Sequence, residues 1–160
     1  MSNANLYKQR GVDENLKPLP IEVKQRPDDK YFKATFNPAF PPILKFKPSE
    51  FVYASLTDDK VSFYARALTE DPLYPLKQIT FVIDRNLESG TYKFEKDGRG
   101  PVVADIIAEG TIFQGGKGKI ELFRNKEKKS IKAEFAFKIE RKGTIYQVNG
   151  ELALLATGPL

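Results

Sequence analysis

The chain has 160 residues, 41% of them hydrophobic, which is enough for a single domain with a real core. It contains no cysteine and no histidine, which excludes disulfides, thiolate metal sites and Ser-His-Asp or Cys-His catalysis. The net charge is +5, and no stretch approaches the roughly 20 apolar residues needed to span a bilayer.

The first 28 residues are polar, contain three prolines and show little periodicity. They predict an N-terminal arm over 1–28, either disordered or draped over a β-domain that occupies 29–160. The beginning of the chain also lacks the apolar run of a secretory signal, which predicts a cytoplasmic protein. The alternative is a secreted mature form whose leader is not part of this sequence.

Alternation of apolar and polar residues, typical of half-buried strands, recurs along the rest of the chain. It is clearest over 130–154, where two alternating runs flank a turn at 141–144 and predict an antiparallel hairpin with one apolar face. The other predicted strands lie at 31–37, 51–56, 61–67, 79–83, 91–94 and 119–123. Glycine-rich stretches at 98–100 and 115–118 predict hairpin turns.

Two stretches need separate interpretation. The segment 37–49 has four prolines and predicts a loop, whose apolar residues Phe40, Ile43, Leu44 and Phe46 cap one open end of the core. The stretch 102–113 fits either a short helix or strands, and its β-branched residues favour strands. About nine or ten short strands predict an all-β fold, a single antiparallel β-sandwich or barrel.

Several motifs in the later half follow one another in a recognisable order: the run 79–83, Gly90-Thr91-Tyr92, Phe135-Ala136-Phe137 and Val148-Asn149-Gly150-Glu151-Leu152. Over about residues 76–155 this order resembles bacterial β-sandwich domains of unknown function, often lipoproteins. The resemblance implies a sandwich fold, no known activity and no functional residue that can be carried over. The chain has no lipobox cysteine, so the resemblance does not extend to a lipid anchor.

Asp105 is the most conspicuous candidate for a site because it interrupts the otherwise apolar run 102–108. A simple outward position on a strand is the favoured interpretation. The alternative is a buried carboxylate, which would need partners or a raised pKa and would mark a site. Aromatic residues that could line a concave ligand site with it are Tyr53, Tyr64, Tyr74 and Tyr92.

The positive charge is concentrated on the predicted hairpin. Residues 124–142 hold eight basic and three acidic residues, an excess of five that equals the net charge of the whole chain. A polyanion would bind there through Arg124, Lys126, Lys128, Lys129, Lys132, Lys138, Arg141 and Lys142. Nucleic acid is disfavoured because few aromatic residues interleave with these basic residues. The alternation of Lys and Glu also has a simpler explanation, which is that it keeps an exposed strand soluble.

No catalytic motif is present, so the sequence predicts no catalytic residue, no cofactor and no metal site. The leading hypothesis is a non-catalytic binding or interaction module that acts through a sheet face or edge. The alternatives are a carrier of a small apolar ligand in a barrel cavity and a polyanion binder. A protein partner or a homodimer through an edge strand fits the leading hypothesis, although no particular residue points to it.

Overall fold

The computed structural model describes residues 3–20, 30–95 and 98–160, which contain one short helix and ten strands. In chain order these are α1 Asn3–Lys8, β1 Tyr31–Asn37, β2 Glu50–Ala54, β3 Lys60–Leu68, β4 Leu76–Asp84, β5 Gly90–Phe94, β6 Val102–Ala108, β7 Thr111–Gln114, β8 Gly116–Asn125, β9 Ser130–Arg141 and β10 Thr144–Leu155. The predicted all-β fold is confirmed, and the stretch 102–113 forms two strands.

The strands form two antiparallel sheets of five, so the fold is a β-sandwich. The first sheet has the order β1-β10-β9-β8-β5, and the second sheet has the order β2-β3-β4-β6-β7. The chain passes from one sheet to the other after β1, β4, β5 and β7. The glycine-rich stretches at 98–100 and 115–118 lie at the last two of these crossings, so their prediction as hairpin turns is wrong.

Phenylalanine rings from both sheets fill the space between them. Phe81 of β4 lies at the centre, with its ring centroid 4.8 Å from that of Phe135, 5.1 Å from Phe63 and 6.0 Å from Phe137. Burying each such side chain contributes roughly 1.5–3 kcal/mol. The apolar face predicted for β9 is therefore the wall of the core.

The hairpin of β9 and β10 pairs along its full length, from Arg141 opposite Thr144 to Ser130 opposite Leu155. The two turn residues, Lys142 and Gly143, have φ angles of 52° and 80°. Two-residue hairpin turns need this left-handed conformation to match the twist of the strands, and glycine adopts it without a steric cost. The predicted hairpin is confirmed, including its turn.

The proline-rich loop after β1 closes one end of the sandwich. The Phe40 ring is fully buried and contacts Tyr146 of the first sheet and Phe113 of the second, with centroid distances of 5.0 and 5.6 Å. Leu44, predicted to cap the core with it, is 75% exposed. The prediction is therefore wrong for Leu44, because its side chain points away from the core.

The predicted N-terminal arm falls partly within the described residues. Residues 3–20 contain helix α1 and turns, and Val12 is buried against Leu76 and Ile107 of the second sheet. The predicted boundary between arm and domain, at 28/29, lies outside the described residues. The N-terminal segment, defined here as residues 3–20, thus packs on the sandwich.

Candidate binding site on the second sheet

The outer face of the second sheet is buried, although it points away from the core between the sheets. Strand register aligns its polar side chains in rows: Tyr64 pairs with Thr80, which pairs with Asp105, and Arg66 pairs with Gln78. Each of these five residues is at most 3% exposed. Because buried polar groups cost free energy unless they are hydrogen-bonded, this face needs partners from another part of the chain.

The chain just after helix α1 supplies partners through its main-chain carbonyls. The Ser62 hydroxyl donates to the Gln9 carbonyl at 2.5 Å. The Gln78 side-chain amide donates to the Arg10 carbonyl at 2.8 Å. These bonds fix the N-terminal segment on the sheet through atoms that every amino acid possesses.

Arg66 extends this network. Its Nη2 donates to the carbonyls of Arg10 and Gly11 at 3.2 and 3.1 Å, and its Nε donates to Gln78 Oε1 at 2.8 Å. The guanidinium also lies 4.7 Å from the centre of the Tyr64 ring. Burial raises the pKa of Tyr64 to about 12, an effect that the Arg66 charge opposes. Tyr64 is therefore neutral, and it contributes to the network through the contact of its ring with the Arg66 guanidinium.

The side chain of Arg10 turns into the sheet and meets Asp105. Its Nε donates to Asp105 Oδ2 at 2.6 Å, and its Nη1 donates to the Leu6 carbonyl at 2.6 Å. The two side chains are 6% and 1% exposed, so this ion pair is buried. Removing one member of such a pair leaves an uncompensated buried charge, which is strongly destabilising.

The second oxygen of Asp105 stands apart from this network. Oδ1 is buried and has no hydrogen-bond partner among the residues that the structure describes. Burial raises the pKa of Asp105, while the Arg10 charge and its hydrogen bond act in the opposite direction. Asp105 thus has the expected outward position on its strand, but it is buried there because the N-terminal segment covers this outer face.

A cavity of about 550 Å³ lies against Asp105, between the N-terminal segment and the second sheet. Leu6, Gln9 and Arg10 line it on one side, and Val103 and Asp105 line it on the sheet side. Its volume falls within the roughly 300–1,000 Å³ typical of small-molecule sites. The link before β6 also lines the cavity, with Gly98, Arg99, Gly100 and Pro101.

The four tyrosines predicted to line a ligand site are not brought together. Tyr53 is buried between the sheets, whereas Tyr64 is buried on the outer side of the second sheet. Tyr74 is 44% exposed before β4, and Tyr92 is half-buried on β5 of the first sheet. Of the five predicted ligand residues, Asp105 alone is found among the described residues that line the cavity.

The predicted polyanion surface is divided by the fold. The Arg124 Nε donates to the Tyr53 hydroxyl at 3.2 Å, and Arg141 pairs with Glu109 at 2.7 Å, so both arginines serve internal contacts. The lysines are exposed, at Lys126, Lys128, Lys129, Lys132, Lys138 and Lys142. They are spread over β9 and the turns at its two ends. Because β9 has 12 residues, these two ends are about 40 Å apart.

The residue that sequence reasoning missed is Arg10. It lies in a polar stretch without periodicity, and its neighbours hold the segment by main-chain atoms that leave no trace in the sequence. A signal was present on the sheet instead. Ser62, Arg66, Gln78 and Thr80 occupy alternate positions on strands whose other side chains are largely apolar, which indicates a polar face that another segment covers.

Two further searches concern the described residues only. No group of three or more acidic residues is close enough to hold a metal ion within those parts of the chain. No helix in the described ranges is long and apolar enough to cross a membrane.

Fold and site together define a two-sheet β-sandwich with a cavity on the outside of one sheet. Comparison with family models, with curated proteins and with solved structures found no match for this chain. The resemblance to bacterial β-sandwich domains of unknown function therefore stays a prediction.

Proposed function

We propose that this protein is a non-catalytic binding module that acts through the outer face of its second sheet. A small ligand occupies the cavity beside Asp105 and donates a hydrogen bond to Oδ1. The observation that carries this proposal is the buried Oδ1, which has no partner among the described residues and belongs to a residue that lines the cavity.

A role in stability alone accounts poorly for Asp105. A buried ion pair stabilises the fold most when all its oxygens are hydrogen-bonded. Apolar residues of similar volume in its place often give the same stability or more. Here Arg10 occupies one oxygen and leaves the other without a partner. A ligand that donates to Oδ1 would complete the arrangement.

The packing of the interior argues against the apolar-carrier alternative. Rings of both sheets contact one another across the space that such a ligand would need, as in the pairs Phe81–Phe135 and Phe81–Phe137. The polyanion alternative is weakened by the separation of its lysines and by the internal contacts of Arg124 and Arg141. The cavity on the second sheet requires no cluster of cations.

Native mass spectrometry of the full chain purified from its own cells tests the proposal. We expect the wild-type protein to carry a bound molecule on the order of a few hundred daltons, the size that such a cavity admits. Asp105→Asn should lose most of it. Asp59→Asn, which changes an exposed carboxylate in the β2–β3 turn, should retain it.

Two results would overturn the proposal. One is a wild-type protein that stays free of ligand even after incubation with a metabolite extract of the same cells. The other is chemical conversion of the bound molecule by the wild type that Asp105→Asn abolishes, which would make the protein an enzyme.

A further inference from the structure

We infer that the ligand of this cavity presents an uncharged O–H or N–H donor to Asp105 and carries an apolar body. The inference rests on the proposed function and narrows it to a chemical class, that of neutral hydrogen-bond donors on an aliphatic body, of which an alcohol is the simplest. Three properties of the cavity lead to it: the hydrogen-bond capacity left on Asp105, the charges of the lining and its apolar wall.

The first property is hydrogen-bond capacity. A carboxylate accepts hydrogen bonds at both oxygens and donates none, and Arg10 already occupies Oδ2. The group that meets Oδ1 must therefore be an O–H or an N–H. An ether, a ketone or a second carboxylate would bring one acceptor against another and would leave Oδ1 without a partner.

The second property is charge. Among the described residues that line the cavity, Asp105 is the single acidic one. The Arg10 guanidinium already supplies the charge that balances this carboxylate, and Lys60 of the lining pairs with Asp84. An ammonium or guanidinium ligand would bring a positive charge that neither Asp105 nor Asp84 is left to balance, so a neutral donor is favoured.

The third property is the apolar wall. Leu6, Val82, Pro101, Val103 and Ile112 contribute aliphatic surface to the cavity, and no aromatic ring is among the described residues that line it. Such a wall favours a compact apolar body and offers no ring for a flat ligand to stack on. The site thus suits an alicyclic or branched aliphatic alcohol.

Three matched probes with one rigid body separate the possibilities: adamantanol, its methyl ether and adamantylamine. Each is titrated into the ¹⁵N-labelled full chain, and the amide signals of Gln9, Arg10 and Asp105 are followed. We expect adamantanol to shift these signals and to bind about tenfold more tightly than the ether, which cannot donate to Oδ1. The amine should bind more weakly than the alcohol.

Asp105→Asn gives a readout that a purely structural role would not produce. Arg10 Nε requires an acceptor, so the asparagine oxygen must stay in the place of Oδ2 and its amide nitrogen must replace Oδ1. The position then offers a donor. The preference should invert, with the ether binding at least as tightly as the alcohol, while Asp59→Asn keeps the wild-type order.

Each other outcome overturns the inference. Equal binding of ether and alcohol to the wild type means that the hydroxyl does not reach Oδ1, and tightest binding of the amine means that the site takes cations. If none of the probes shifts the three amide signals, a neutral donor on an aliphatic body is not the class. The proposed function fails separately, in the experiment with the cellular ligand, which assumes nothing about ligand class.

Discussion

The outer faces of the two sheets carry polar residues for opposite reasons. On the first sheet Lys132, Glu134 and Lys138 are exposed, and water satisfies each of them. On the outer face of the second sheet, Asp105 and the Arg10 side chain that packs against it are buried, and each needs a partner within the protein. An oxygen without a protein partner is ordinary on the first face, whereas on the second it indicates that something else binds there.

The largest expected effect comes from breaking the buried pair. Arg10→Ala leaves the buried Asp105 carboxylate without its cation, and we expect a loss of about 3–5 kcal/mol in the free energy of unfolding. Urea denaturation at neutral pH measures it. Lys132→Ala on the solvated face is the matched control and should change stability by less than about 0.5 kcal/mol.

A double-mutant cycle identifies the cause of that loss. If the unpaired carboxylate is responsible, Asp105→Asn should cost much less in the Arg10→Ala background than in the wild type, or should even stabilise it. Equal stability of Arg10→Ala and Lys132→Ala would contradict the account, because it would mean that the segment contributes no charge compensation to the sheet.

The difference between the two outer faces also explains which parts of the fold could be predicted from the sequence and which could not. In the first sheet one face is solvated, so β9 and β10 alternate clearly and their hairpin could be predicted with its turn. In the second sheet both faces are buried, so β6 reads as a nearly continuous apolar run that fits a helix or a strand. Which segment covers Asp105 could not be predicted, because that segment docks by the carbonyls of Gln9, Arg10 and Gly11.

The next largest expected effect is the pH dependence that Asp105 gives to the free energy of unfolding. Burial raises the pKa of Asp105 in the folded protein above its ordinary value of about 3.9. The folded state therefore holds this proton more tightly than the unfolded chain, and the stabilisation is lost as the pH rises through the folded pKa. The stability of wild type relative to Asp105→Asn should fall over this range.

Urea denaturation of the two proteins from pH 3 to pH 8, a range that brackets the ordinary carboxyl pKa, measures this difference. Other carboxylates titrate in both proteins and largely cancel in the comparison. Asp59→Asn, an exposed carboxylate, should show a nearly flat difference from the wild type. A difference for Asp105 that rises with pH would mean that attraction to Arg10 outweighs the effect of burial.

The smallest effect belongs to the solvated face, where three carboxylates lie in one row. Glu134 of β9 lies directly between Glu121 of β8 and Glu151 of β10. Like charges on facing positions of neighbouring strands repel, so Glu134→Gln should stabilise the protein by about 0.2–1 kcal/mol in urea denaturation at low salt. Glu140→Gln is the control, because Glu140 faces Ile145 instead of a charge.

Salt separates the two faces most directly. At about 1 M salt the Debye length is near 3 Å, so the gain from Glu134→Gln should largely disappear. The loss from Arg10→Ala should persist, because its charges are buried where ions do not screen them. A gain at Glu134 that survives high salt would point to packing rather than repulsion. A loss at Arg10 that vanishes in salt would mean that water and ions reach the pair, and Asp105 Oδ1 would then need no ligand to complete its hydrogen bonding.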